Sequence, residues 1–172
     1  TVQSCVEHAF LIFFRKSIQL TGSSRTDAGV HAYQNFFHFD WEGVFDEKVV
    51  YNLNALLPPS VAIKSVRKVR KEAHARFDAL SRSYGYMIYR KKDPFLSDRG
   101  WYFPYELDRA LLQKMADHIL SASYFEAFSK RNTQVKTYEC RIFHSRWQYM
   151  GEVLKYEVEG NRFLRGMVRG LV

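Results

Sequence analysis

The stretch Gly22-Ser23-Ser24-Arg25-Thr26-Asp27-Ala28-Gly29-Val30-His31-Ala32 places one carboxylate between two glycines, with an arginine two residues before it. Glycine takes backbone angles closed to other residues, so Gly22 and Gly29 allow a tight turn that points Asp27 into a cleft. Arg25 can hold that acid ionised, because a nearby cation favours the charged form. An ionised carboxylate so presented can serve as a nucleophile or as a proton acceptor. The same spacing also fits a plain turn, in which Asp27 bonds its own backbone. No other acid has a comparable setting; Asp78 and Asp93 read as solvent or turn residues.

The chain that carries this turn has 172 residues, 47% of them hydrophobic, which suffices for one sizeable domain or two small ones sharing a core. Its net charge of +8 favours an anionic partner such as nucleic acid or a membrane surface, although solubility alone also accounts for such a balance. Aromatic residues make up 16%, and rings interleaved with cations suit RNA, whose bases stack on them. Cys5 and Cys140 fit no paired spacing and read as reduced, buried thiols of a cytosolic protein. The six histidines fall in no metal-ligand spacing, so no metal is expected. The longest apolar run, Ala9 to Phe14, is too short to span a bilayer, and no signal-peptide pattern opens the chain. A soluble, cytoplasmic protein is expected.

Apolar residues at helical spacing predict a helix from Thr1 to Lys16, capped by Thr1 or Ser4, with Val2, Val6, Phe10, Phe13 and Phe14 on its inner face. Ser17 to Leu20 reads as a short strand and Val30 to Trp41 as an aromatic-rich one. Asp46 caps a second helix that Pro58-Pro59 stops. Val61 to Lys71 alternates loosely between apolar and basic residues, which predicts a strand whose cationic side is either solvated or in contact with RNA. Tyr84 to Tyr89 is a further strand, and Asp108 caps a helix with a core stripe of Leu111, Met115, Ile119 and Ala122. Arg141 to Trp147 and Val153 to Glu159 form a hairpin turned at Met150-Gly151-Glu152, and a last helix opens at Gly160-Asn161. This order predicts an α+β protein of two halves, divided near Arg70 to Ala75 into 1–72 and 73–172.

The run Arg25-Thr26-Asp27-Ala28-Gly29-Val30-His31-Ala32 resembles the signature of the tRNA pseudouridine synthase A family. The likeness continues in order through Asn54-Ala55-Leu56-Leu57-Pro58-Pro59, His74-Ala75-Arg76-Phe77, Ser81-Arg82-Ser83-Tyr84-Gly85-Tyr86, Phe128-Ser129-Lys130 and Asn161-Arg162-Phe163-Leu164-Arg165-Gly166-Met167-Val168-Arg169. It spans essentially the whole chain. Ser24 departs from it, since many relatives have glycine there; a small residue is kept. The resemblance implies the pseudouridine synthase fold, two similar α+β subdomains around a central, mostly antiparallel sheet with a basic cleft. It also implies conversion of uridine to pseudouridine in tRNA, at positions 38 to 40 of the anticodon stem-loop, by a homodimer without cofactor or metal. Relatives begin with a further strand and continue past the last helix, so a piece shortened at both ends is expected.

By the same resemblance Asp27 is the catalytic residue, Tyr84 packs on the target uracil, Arg169 pairs with the aspartate, and Arg25 helps displace the flipped base. From residue type alone, Tyr84 is equally a core aromatic of its strand, Arg169 a surface charge, and Arg25 a phosphate contact or turn cation. His31 reads as structural. Breaking C1′–N1 and joining C1′ to C5 needs only one carboxylate, whereas hydrolysis of that bond ordinarily calls for a second acid and a positioned water. A rival class is a noncatalytic RNA-recognition module, because Arg82 to Tyr89 resembles its RNP1 strand except at Ser83 and Met87. That fold needs a partner strand near Val49 to Leu53, where the sequence reads as helix.

Overall fold

In the computed structural model, which describes residues 1–46, 48–131 and 135–172, Thr1 caps helix α1 (Val2–Phe14) through a reciprocal pair with Ser4. Val6, Ala9 and Phe10 are the buried residues of α1, while Val2 and Phe13 of the expected inner face are exposed. Phe10 sits amid Phe14, Phe39, Trp41 and Phe45, with ring centroids 5.2–6.2 Å away. The short strand lies at Thr21–Gly22 (β1), paired antiparallel with Phe37–His38 (β2), and not at Ser17 to Leu20. Side chains of α1 explain the shift. Glu7 accepts the Leu20 N–H at 2.9 Å and Gln3 donates to the Leu20 carbonyl at 2.8 Å, so both ladder groups of that residue are taken.

Asp46 accepts the Lys48 N–H at 3.0 Å at the start of α2 (Lys48–Leu56), whose Leu53 is fully buried. Because 49–53 is helix, the strand that an RNA-recognition module needs is absent from its place. Val61 to Lys71 forms no strand either. The Asn54 side chain occupies both backbone groups of Ile63, at 2.7 and 2.9 Å, and the segment runs on as irregular chain with its cations exposed.

The remaining strands form one sheet in the order β4-β3-β6-β5: β3 (Arg82–Tyr89), β4 (Gly100–Tyr102), β5 (Ile142–Met150) and β6 (Val153–Gly160). Only β3 and β4 run parallel; β6 pairs antiparallel with both neighbours, Tyr84 facing Val158 across the ladder. Helix α3 (Arg109–Ser121) starts at Asp108, which accepts the Leu111 N–H at 3.0 Å. It lies on β5, where Gln113 accepts the Trp147 N–H at 3.2 Å and the Arg109 guanidinium stands 4.8 Å over the Tyr149 ring. Its core face is Leu112, Ala116, Ile119 and Ala122, so Ile119 and Ala122 pack as expected, whereas Leu111 and Met115 face solvent. Ile88, Phe125, Trp147, Leu154, Tyr156, Val158, Leu164 and Met167 fill the same core.

The last helix, α4 (Met167–Leu171), begins later than expected. Asn161 extends the hairpin instead, exchanging bonds of 2.8 and 3.0 Å with Arg141, and Gly166 turns the chain with φ 78°. Both cysteines are free; Cys5 is only half-buried, against expectation, while Cys140 is buried, and burial pushes its thiol pKa up, as for a packing residue. No helix among the described residues is long and apolar enough to cross a membrane.

Contacts divide the chain into two compact units, Thr1–Arg25 with Ala32–Asp78, and Thr26–His31 with Ala79–Val172. The first unit ends at Asp78, and Thr26–His31, which include the Asp27 turn, group with the second unit. The four-stranded sheet lies in the second unit and the two-residue ladder in the first.

Candidate active site

Val30 N–H closes a turn onto the Asp27 carbonyl at 3.3 Å, and Gly29 at its third position has φ 80°. A positive φ at that place is what a type II turn requires. A side chain at Gly29 would meet nothing within 4 Å, so backbone strain alone selects glycine there. Gly29→Val is expected to lower the unfolding free energy by roughly 1–3 kcal/mol in a urea titration. An unchanged midpoint would mean the turn relaxes into another form. Gly22 serves differently from expectation: it has no positive φ, and an added Cβ would stand 3.0 Å from the Phe37 ring. It is a close-approach glycine of the ladder.

Two side chains of the second unit hold this turn. Arg169 Nη2 donates to the Ala28 carbonyl at 3.4 Å, and His31 Nε2 donates to the Asp98 carbonyl at 3.0 Å. Asp27 between them is exposed, and among the described residues its carboxylate accepts no hydrogen bond and forms no ion pair. The alternative in which it bonds its own backbone is therefore not the one adopted. Most other aspartates are spent on structure. Asp46, Asp93 and Asp108 accept backbone N–H groups, Asp117 accepts from Gln113, and Asp98 pairs with Arg99. Asp78 accepts the His74 N–H and an Arg70 bond, which together hold its carboxyl below the usual range. Asp40 is also unbonded among the described residues, but it stands in no such turn.

Tyr84 is half-buried on β3, and its ring meets Phe163 edge-on with centroids 5.2 Å apart. Phe163 and Arg169 belong to the same short segment, which thus touches both Tyr84 and the Asp27 turn. That segment is seated in turn by Lys130, whose N–H donates to the Arg165 carbonyl at 3.0 Å and whose stem covers Gly166. Arg25 is exposed in the first unit and makes no ion pair among the described residues. Among the described residues no cluster of three or more His, Cys, Asp or Glu could hold a metal ion.

His31 is structural, as expected, and Phe163 and Lys130 emerge as further residues that set the geometry, although residue type alone gave them no role. Each lies inside a matched motif, which was their only signal in the sequence.

An ionisable side chain left unspent on a glycine turn, linked through the Phe163–Arg169 segment to a ring-bearing strand, has the groups that acid–base or nucleophilic chemistry needs. The profile of a family described as tRNA pseudouridine synthase matches residues 115–172. The tRNA pseudouridine synthase A of Parabacteroides distasonis is 40% identical over 174 residues, covering 100% of this chain and 69% of its own length. The enzymes of that name from Bacteroides fragilis and Azobacteroides pseudotrichonymphae are 39% and 36% identical, again over 100% of this chain and 69% and 70% of theirs. The chain belongs to the tRNA pseudouridine synthase A family and is an isomerase by class.

Proposed function

We propose that this chain converts uridine to pseudouridine in tRNA, at positions 38 to 40 of the anticodon stem-loop, with Asp27 as its one catalytic carboxylate. The observation that supports this most is the unspent Asp27 carboxylate on a turn tied down at Ala28 and His31. The C1′–N1 bond breaks, the uracil turns, and C1′–C5 forms; the C5 proton leaves and N1 gains one, so the composition is unchanged. Asp27 can attack C1′ or C6, or take a proton from C2′ to leave a glycal-like intermediate. A stacked base must first swing out. Tyr84 receives the everted ring, with Phe163 bracing it from the edge, and Arg25 helps displace the base from the helix. Arg169 already reaches the backbone beside Asp27, and a rotation brings its guanidinium to the carboxylate, orienting it without adding net stability. The family resemblance adds a cytoplasmic homodimer that needs no cofactor.

Uridine labelled with tritium at C5 distinguishes the reactions. Isomerisation releases the label to solvent and no free uracil, whereas hydrolysis frees uracil with its label intact. Release of uracil, or of neither, would contradict the reading. Tyr84→Leu is expected to lower kcat/KM by roughly 5- to 150-fold, the span of one lost base–aromatic stack, while Tyr84→Phe keeps most of the rate. Equal activity in both variants would remove Tyr84 from the site.

A further inference from the structure

In the first unit an aromatic ring is carried on a hydrogen-bonded turn, backed by a histidine, and yet left in the open. Phe77 is 75% exposed, but the turn that carries it has every backbone N–H from His74 to Asp78 engaged. The Ala75 N–H donates to His38 Nδ1 at 3.1 Å, and those of Arg76 and Phe77 donate to His74 Nδ1 at 3.2 and 3.3 Å. The Asp78 N–H donates to the His74 carbonyl at 2.9 Å, and the His74 N–H to Asp78 Oδ2 at 3.0 Å. Arg70 fastens the same carboxylate at 3.3 Å. Both imidazoles accept at Nδ1, so each carries its proton on Nε2.

Behind Phe77 the rings form a ladder: His74 lies 4.2 Å from it at 31°, and His38 lies 4.5 Å from His74. The Arg76 guanidinium stands 5.9 Å from the Phe77 centroid. None of this buries Phe77, so the ordering contributes little to a core. Preparing a rigid ring in advance lowers the cost of ordering when a flat partner stacks on it.

The charge around it says what the partner is. From Lys64 to Asp78 the chain has six exposed cations, Lys64, Arg67, Lys68, Arg70, Lys71 and Arg76, against two acids, Glu72 and Asp78, the latter paired with Arg70. With no strand ladder to define its backbone, this irregular run can follow a phosphate chain. We propose that Phe77 is a stacking platform for an unpaired nucleobase of the RNA substrate, with the Lys64–Arg76 segment neutralising the adjoining phosphates. Bases stack on exposed rings whatever their sequence, and cations beside the ring track the backbone. This rests on the RNA reading above but concerns a contact separate from Asp27 and Tyr84.

The test compares Phe77→Ala, Phe77→Leu and Phe77→Trp with the unaltered chain, using unmodified tRNA. Alanine and leucine are each expected to weaken tRNA binding by roughly 5- to 150-fold, leucine despite its apolar bulk, while tryptophan restores it. The added tryptophan fluorescence should also be quenched by tRNA beyond the change seen in the unaltered chain. Thermal unfolding of the alanine variant should match the parent, since the ring is outside the core. If the unaltered chain binds tRNA and releases C5 tritium but all three variants bind within about two-fold of it, the platform is refuted and the isomerase reading stands. If the unaltered chain neither binds tRNA nor releases tritium, both fall. A loss of self-association in Phe77→Ala with tRNA affinity intact would assign the ring to a contact between copies and overturn the proposal.

Discussion

Asp27→Asn is expected to abolish pseudouridine formation, by at least the roughly 10²- to 10⁴-fold that a positioned acid–base group supplies. The amide keeps the shape of the carboxylate and loses both its basicity and its nucleophilic charge. Nothing structural should follow, because among the described residues that carboxylate accepts no hydrogen bond and makes no ion pair. The turn stays closed by the Val30 N–H, Arg169 and His31, all of which bind backbone atoms and not the Asp27 side chain. The expected pattern is therefore an intact unfolding midpoint, tRNA affinity within a few fold, and no turnover. Asp46→Ala makes a useful contrast, since that side chain caps α2 and its loss should cost roughly 0.5–2 kcal/mol of stability.

Tyr156→Ala is expected to cost about 3–5 kcal/mol of stability, the range for truncating a large buried aromatic. Tyr156 has 0% exposure, its ring lies 5.1 Å from Trp147, and its hydroxyl is 2.8 Å from the buried Ser145 hydroxyl. Burial raises its phenol pKa, so the group remains neutral and the pair is an ordinary hydrogen bond. Tyr156→Phe keeps the packing but leaves Ser145 without that partner, at about 1–3 kcal/mol. Chemical denaturation of the two variants separates the terms. A loss below about 1 kcal/mol for alanine would show that the core repacks around the gap. The change bears on function too, because β6 aligns Tyr84 on one side and leads directly into the segment carrying Phe163 and Arg169.

Helices α1, α2 and α3 and the β5–β6 hairpin were legible because caps and hydrophobic spacing are local signals. Asp46 and Asp108 do what their positions implied. Ser17 to Leu20 and Val61 to Lys71 misled for a shared reason. Alternation reports which side of a chain is apolar, but pairing depends on free backbone groups, and those of Leu20 and Ile63 are taken by Gln3, Glu7 and Asn54 side chains. On α3 a stripe drawn through Leu111 and Met115 misses the true face, which packs tightest at the small Ala116.

The Asp27 turn was readable from Gly29, whose φ matches its expected use. Arg169 was not readable from spacing, since 141 residues separate it from Ala28, and only the family likeness pointed to it. Phe77 was visible as part of a motif, yet its exposure and the histidine ladder behind it required three dimensions.

The most direct measurement is single-nucleotide mapping of pseudouridine in unmodified tRNA after incubation with the chain and, in parallel, with Asp27→Asn. The account predicts new pseudouridine confined to positions 38 to 40 with the unaltered chain and none with the variant. Equal modification by both, or modification only at other positions, would contradict it.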